Sequence, residues 1–168
     1  MQQSSMLTLA ICEASNLHCT LTLALKHICE LTAWDYGEVW IPYSQDILEL
    51  SSAWYITTRR SSTYTYALEQ FRLCSEQIIL SPGIGLPGRV WSKQQSEWIY
   101  DVSTQSETYF LRNCIAKAFG IKTGLGVPIF ANHQLIGVLA LFSLSARPED
   151  KQLIATIESM VTQVGALL

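Results

Sequence analysis

The 168-residue chain predicts an α+β fold, a central antiparallel sheet sandwiched between helices, with long helices at its N- and C-terminal ends. Three observations carry this expectation. Apolar residues recur at alternating spacings of three and four near both ends, which is the period of a helix face. Between them, short runs rich in β-branched and aromatic residues are separated by polar turns, the signature of strands. In the last of these runs both alternating sets are apolar, which marks a strand covered on each side.

Taken in order, residues 5–34 read as one helix. Leu7, Ile11, Ala14, His18, Leu21, Leu25 and Ile28 form one heptad-like stripe, and Leu17, Leu21, Ala24, Ile28 and Leu31 form a second beside it. A helix that covers only its own core needs one such face, so the second stripe predicts a helical partner. Gly37 to Pro42 and Ile47 to Thr57 read as strands joined by the turn Tyr43-Ser44-Gln45-Asp46. Thr57 to Thr65 reads as an exposed loop and Tyr64 to Gln77 as a helix crossing one face. The glycine- and tryptophan-rich stretch Ser81 to Val102 follows, and Thr104 with Glu107 matches a capping box that opens a helix ended by Gly120.

Lys122 to Ala131 and Leu135 to Leu144 flank Asn132-His133-Gln134 as a hairpin. In its second strand Leu135, Leu139 and Leu141 oppose Ile136, Val138 and Phe142. Pro148 suits a first helical position for a last helix over 148–168, with Glu149 and Asp150 at its positive end. That helix again carries two stripes, Ile154, Ile157, Val161, Val164 and Leu168 beside Leu153, Ile157, Met160, Val164 and Leu167. The pattern stops in mid-stripe without a cap, and the reading is a single domain over 1–168 cut before an output domain.

Composition excludes several functions. Hydrophobic residues make up 49% and charged residues 15%, the latter well under the quarter usual in soluble domains, and disorder is excluded. A chain of this size buries about 70% of its unfolded surface, enough for one core without staples. A net charge of −3 provides no basic footprint for nucleic acid and no polybasic membrane patch. The five cysteines are odd in number and lack a CxxC pair, and MQQSSM has no basic signal region, which together predict a cytoplasmic protein. The apolar run Leu17 to Leu25 is too short to span a bilayer.

Candidate ligand motifs fare poorly. Cys12, Cys19, Cys29, His18 and His27 lack zinc-ligand spacing, so no metal is expected, and the cysteines read as small hydrophobes. His18 either fixes helix register or lies on the surface. His133 at the hairpin tip reads as an exposed turn residue rather than a haem ligand. Gly83-Ile84-Gly85-Leu86-Pro87-Gly88 formally matches GxGxxG, yet a helix precedes it, and Pro87 removes a donor from the would-be phosphate cradle. These glycines instead read as a tight path into a short helix at Arg89-Val90-Trp91, not as a nucleotide motif.

The same words carry a family resemblance. Gly83 through Trp91, then Trp98-Ile99-Tyr100-Asp101-Val102, closely resembles a signature of bacterial GAF domains. Trp34-Asp35-Tyr36-Gly37-Glu38-Val39-Trp40, Gly126-Val127-Pro128-Ile129 and Leu135-Ile136-Gly137-Val138-Leu139 extend the likeness over essentially the whole chain. The resemblance is to the GAF modules of cyanobacterial two-component and other multidomain signalling proteins. It implies a GAF (PAS-like) fold, a homodimer through the terminal helices and a covalently linked output domain.

Against the family's better-known ligands, the cyclic-nucleotide Asn-Lys-Phe-Asp-Glu set is absent. Where bilin-binding members place a cysteine followed by histidine or tyrosine, this chain has Leu111-Arg112, with Cys114 about a turn later and followed by Ile115. A covalent bilin is therefore not expected. Free-methionine sulfoxide reductases of this family need cysteines around the positions of Arg89-Val90-Trp91 and Ser96 to Val102, and this chain has none there. Cys114 alone forms no intramolecular disulfide through which such chemistry recycles.

GAF ligand pockets lie between the sheet and the segments covering it, which makes Trp54, Phe71, Trp91, Trp98, Tyr109 and Phe110 candidate pocket residues, with Arg112 as the charge for an anionic ligand. The opposing reading is that the aromatics simply fill the core. The expected function is a non-enzymatic sensory or regulatory GAF domain of a two-component signalling protein, with no identified cofactor, that binds a small molecule or acts as a dimerisation and relay module. The alternatives are a cysteine-dependent redox enzyme of the methionine sulfoxide reductase type and a non-covalent tetrapyrrole sensor.

Overall fold

A computed structural model describes residues 17–168. In order it contains α1 (Leu17–Thr32), β1 (Tyr36–Ser44), β2 (Ile47–Ile56), α2 (Ser62–Ser75), β3 (Ile79–Leu80), α3 (Gly85–Lys93) and β4 (Glu97–Ile99). A 3-10 turn (Val102–Thr104) follows, then α4 (Asn113–Phe119), β5 (Thr123–Ala131), β6 (Gln134–Ser143) and α5 (Lys151–Ala166). The six strands form one antiparallel sheet in the order β3-β2-β1-β6-β5-β4.

The sheet is the middle layer, and strand alternation sorts its side chains into two cores. Val39, Leu125, Val127, Ile129, Leu139 and Leu141 meet α1 and α5, where Leu21, Leu25, Ile28, Ile157, Val161 and Val164 are buried. Tyr36, Trp40, Val138, Ala140 and Phe142 meet the opposite layer, made by α2, α3, α4 and the turns between them. The expectation of a strand covered on both faces therefore holds for β6. One residue breaks its alternation. Ile129 pairs with Gly137 but Phe130 with Leu135, so Ile136 is an extra, bulged residue. The bulge turns Ile136 to the side of Leu139, against the terminal helices, rather than to the side of Val138.

Several local expectations are corrected. The predicted first helix is helical from Leu17 to Thr32, and residues 5–16 of it lie outside the described residues. It ends two residues early, because Trp34 leaves the helix to bury itself beneath Arg147. His18 is exposed on α1, and its Nδ1 lies 2.9 Å from Ser52 Oγ on β2. The hairpin turn contracts to Asn132-His133, both at positive φ, with His133 exposed. In the Thr57 to Thr65 stretch Thr57 is buried and donates its N–H to the Asp35 carbonyl.

The Thr104–Glu107 capping box does not form. Asp101 caps the 3-10 turn instead, its carboxylate accepting the Ser103 N–H at 2.9 Å. Residues 105–112 then cross the sheet irregularly before α4 begins at Asn113. Gly120, at φ +75°, does end that helix. Pro148 likewise lies before the last helix, whose N-cap is Asp150, accepting from Leu153 N–H at 3.0 Å.

The glycine-rich words are used for close approach. Gly83 and Gly85 take positive φ, and a Cβ on Gly88 would overlap the carbonyl oxygen of Ser81, so the path folds tightly into α3, which begins at Gly85 rather than at Arg89 and so contains Gly88. On the other face Gly165 of α5 lies directly on the carbonyl of Phe130 in β5.

Candidate functional site

Between the sheet and the α2–α4 layer lies a buried ionic centre. Glu38 projects from the first half of β1, and Arg112 reaches it from the head of α4, both essentially without solvent exposure. Arg112 Nη2 donates to Glu38 Oε1 at 2.6 Å and Nη1 donates to Oε2 at 3.2 Å. Nη1 also donates to Ser75 Oγ at 3.0 Å, and that hydroxyl donates to the Phe71 carbonyl at 2.7 Å. Glu38 accepts two further bonds from its own strand, from Tyr36 Oη at 2.8 Å and Trp40 Nε1 at 2.7 Å. Strand alternation explains this: residues 36, 38 and 40 share one face, so the two aromatic donors flank the carboxylate. Burial and then the Glu38 charge push the Tyr36 phenol pKa well above its ordinary value, keeping it a donor.

The guanidinium is walled by rings. Its Cζ lies 4.9 Å from the ring centroid of Phe71, 5.1 Å from Phe142, 5.2 Å from Trp40 and 5.6 Å from Phe110. A desolvated cation over aromatic faces is held by the ring quadrupoles. Breaking such a buried pair from one side leaves an uncompensated charge, typically costing about 3–5 kcal/mol.

Of the seven sequence candidates, the structure brings Phe71, Phe110 and Arg112 together here. Trp54 is 40% exposed at the edge of the layer, where Arg72 Cζ lies 5.0 Å above its ring. Trp91 packs at the periphery of this core. Tyr109 sits outside it in a surface clamp: its hydroxyl donates to Glu97 Oε1 at 2.8 Å, and Arg89 Cζ lies 3.9 Å from its ring. Arg89 Nη2 in turn donates to Glu97 Oε1 at 2.7 Å. Trp98 is on the other face of the sheet, edge-on to Trp34 at 5.3 Å. The seven therefore do not line a single cavity. Arg112 spends its charge on Glu38 rather than presenting it to an anion.

Sequence reasoning missed Glu38, Tyr36, Trp40, Ser75 and Phe142. The available signal was a glutamate at the centre of Tyr36-Gly37-Glu38-Val39-Trp40, a strand otherwise apolar, which calls for a buried partner.

A second cluster ties the terminal helices to the sheet. Asp35 is buried and accepts from Arg60 Nε at 2.9 Å and Nη2 at 3.1 Å, and from the Leu144 N–H at 2.9 Å. Arg147, in the link from β6 to α5, donates to the Thr32 and Ala33 carbonyls, each at 3.2 Å, at the C-terminal end of α1. Its Cζ lies 4.4 Å from the Trp34 ring, and its own carbonyl accepts Trp98 Nε1 at 3.0 Å. The end of α1 and the start of α5 are thus joined through one side chain, where helix-end carbonyls favour a cation.

On the terminal-helix face a groove of about 360 Å³ opens among Leu17, Leu21, Ile129, Ile136 and Leu168. Among the described residues no three His, Cys, Asp or Glu side chains gather as a metal site, and no helix is long and apolar enough to cross a membrane. Cys29 is buried, while Cys74 and Cys114 are exposed free thiols.

Comparison with known proteins agrees with this architecture. Among curated proteins, the chain is 33% identical over 94 residues to "Transcription factor bHLH13" of Arabidopsis thaliana, a match covering 56% of this chain and 15% of that protein. The chain thus spans a small part of the curated relative's length. Among solved structures it is similar to the GAF domain from a phosphoenolpyruvate-protein phosphotransferase of Coxiella burnetii, with TM-score 0.73, 19% identity, and 98% and 89% of the two chains covered. It is also similar to free methionine-R-sulfoxide reductase from Neisseria meningitidis, with TM-score 0.67, 14% identity, and 98% and 86% covered. At these identities the structural likeness speaks for the fold alone. The family model described as the GAF domain matches residues 14–168; with the three-layer fold and the sheet order above, the chain belongs to the GAF domain family.

Proposed function

We propose that this chain is a non-enzymatic regulatory GAF domain of a multidomain signalling protein, of the bacterial two-component kind, that works as a homodimer and relays conformational change through its terminal helices to a linked output domain. The observation that carries this reading is the terminal-helix layer. α1 and α5 pack side by side on one sheet face, and α1 leaves Leu17, Leu23 and Leu31 exposed after filling its core. Apolar residues on the outer side of a helix are what a second helix covers. Arg147 joins the two helices at their sheet-bound ends, which supports their moving as a unit. A small-molecule ligand acts on such a module only through different affinity for two arrangements of that unit.

The redox alternative turns on Cys114, an exposed thiol on α4. Sedimentation of the protein and of Leu23→Glu/Leu31→Glu tests the proposal. The parent is expected to dimerise and the double variant to be a folded monomer. A folded parent that stays monomeric at high concentration refutes it. Robust methionine sulfoxide reduction by the parent, abolished by Cys114→Ser, establishes the redox reading instead. A coloured product when bilin and haem are supplied establishes the tetrapyrrole reading.

A further inference from the structure

We propose that Glu38, Ser75 and the rings of Trp40, Phe71, Phe110 and Phe142 form a guanidinium-binding site that the chain fills with its own Arg112, and that takes a free alkylguanidinium when that side chain is cut back.

The chemistry is specific to this class of cation. Two guanidinium nitrogens meet the two oxygens of one carboxylate, at 2.6 and 3.2 Å, and one of them also reaches Ser75 Oγ at 3.0 Å. A planar fork with parallel donors makes those contacts together, whereas an ammonium acts as a point charge. Four rings at 4.9–5.6 Å close the remaining sides. Glu38 is prepared for the cation independently of it, because Tyr36 and Trp40 already orient both carboxylate oxygens. The host is therefore carried by β1, α2 and β6 together with Phe110, and only the guest enters from residue 112. That separation distinguishes a site and its occupant from an ordinary core pair.

In the intact chain the tether keeps the guest at a high effective concentration, so free cation does not compete. The occupant also holds the irregular 105–112 segment and the head of α4 against the sheet. The helix layer is thereby locked in a filled arrangement without any external ligand. This deepens the relay reading but does not rest on dimerisation.

The test is thermal unfolding of the whole chain, with methylguanidinium chloride as the probe at millimolar concentrations far below denaturing ones. Arg112→Ala is expected to lower Tm by about 10 °C, from the usual cost of stranding a buried charge. Methylguanidinium is expected to restore about 5 °C of that by mass action, and methylammonium at the same concentration to restore much less. The parent, Arg112→Met, whose apolar chain refills the space, and Arg112→Ala/Glu38→Gln are all expected not to respond. If Arg112→Ala is unfolded alone, the readout becomes recovery of its helical circular dichroism on adding the probe, and no recovery refutes the proposal. It is equally overturned if Arg112→Ala responds no more than the parent does, or if the Glu38→Gln double variant responds as strongly.

Discussion

Replacing Gly165 by alanine sets two physical effects of opposite sign against each other. Within α5, alanine is the better helix former, worth up to about 1 kcal/mol in an interior position and less this close to the helix end. In the tertiary structure, a Cβ at 165 falls inside the van der Waals shell of the Phe130 carbonyl oxygen on β5. That atom is backbone in the middle layer and has little room to move, so α5 must give way by on the order of 1 Å, a large gap in a close-packed interior. The movement lifts Val164 and Val161, both 3% exposed, away from the sheet. Loss of most of one valine's burial costs about 1.5 kcal/mol, and overpacking costs about 1–3 kcal/mol by itself. The structure thus predicts a net loss of about 1.5–3.5 kcal/mol for Gly165→Ala.

Urea unfolding followed by circular dichroism measures this, with Ala155→Gly on the exposed side of the same helix as the propensity control. The control is expected to lose about 1 kcal/mol. If Gly165→Ala is as stable as the parent or more so, the close approach of α5 to β5 is wrong, and with it the account of how the terminal helix is seated.

Two further outcomes follow from buried groups. Burial raises the pKa of the Cys29 thiol above its ordinary 9.0 and that of the Tyr36 phenol above its ordinary 10.0. A raised folded-state pKa means the native state retains protons that the unfolded chain releases, so stability is intact below pH 9 and falls as pH rises above it. The limiting slope is about 1.4 kcal/mol per pH unit for each group. Urea titrations from pH 7 to 11 are expected to show the fall beginning near pH 9, and Cys29→Ala to delay its onset toward pH 10; an unchanged onset in that variant contradicts the assignment. Alkylation of the native protein, read by mass spectrometry, is expected to modify Cys74 and Cys114 rapidly, since both are exposed, and Cys29 only on unfolding. Rapid native labelling of Cys29 would show that the α1–sheet core opens readily.

Much of the fold was legible from local pattern. The stripes Leu21, Leu25, Ile28 and Ile157, Val161, Val164 were found on helices facing a core, because a helix buries every third or fourth residue whichever partner covers it. The two-sided apolar pattern of β6 was legible because alternation counts covered faces directly. Capping was less so. Thr104 with Glu107 satisfies the spacing of a capping box, but the chain there must cross the second core to deliver Phe110 and Arg112, and that tertiary demand overrides a bond worth about 1 kcal/mol. Similarly, Ile136 departs from strict alternation because a bulge, set by pairing with β5, shifts the register.

The candidate site divides along the same line. Aromatic composition pointed to the correct layer for Phe71 and Phe110 but also to Trp98, which lies on the opposite face, since a tryptophan count carries no information about which side of a sheet each ring faces. By itself the sequence determined the terminal helices, four of the six strands, the three-layer arrangement and the family words, all of them set by periodicity and local chemistry over a few residues, but not the short edge strands β3 and β4. Only the tertiary structure decided that Arg112 faces inward to Glu38, 74 positions away, and that Asp35 gathers Arg60 and the Leu144 N–H. A charge in a sequence announces that it needs compensation if buried. Which partner supplies it depends on strand order and register, and those are settled by the packing of the whole chain.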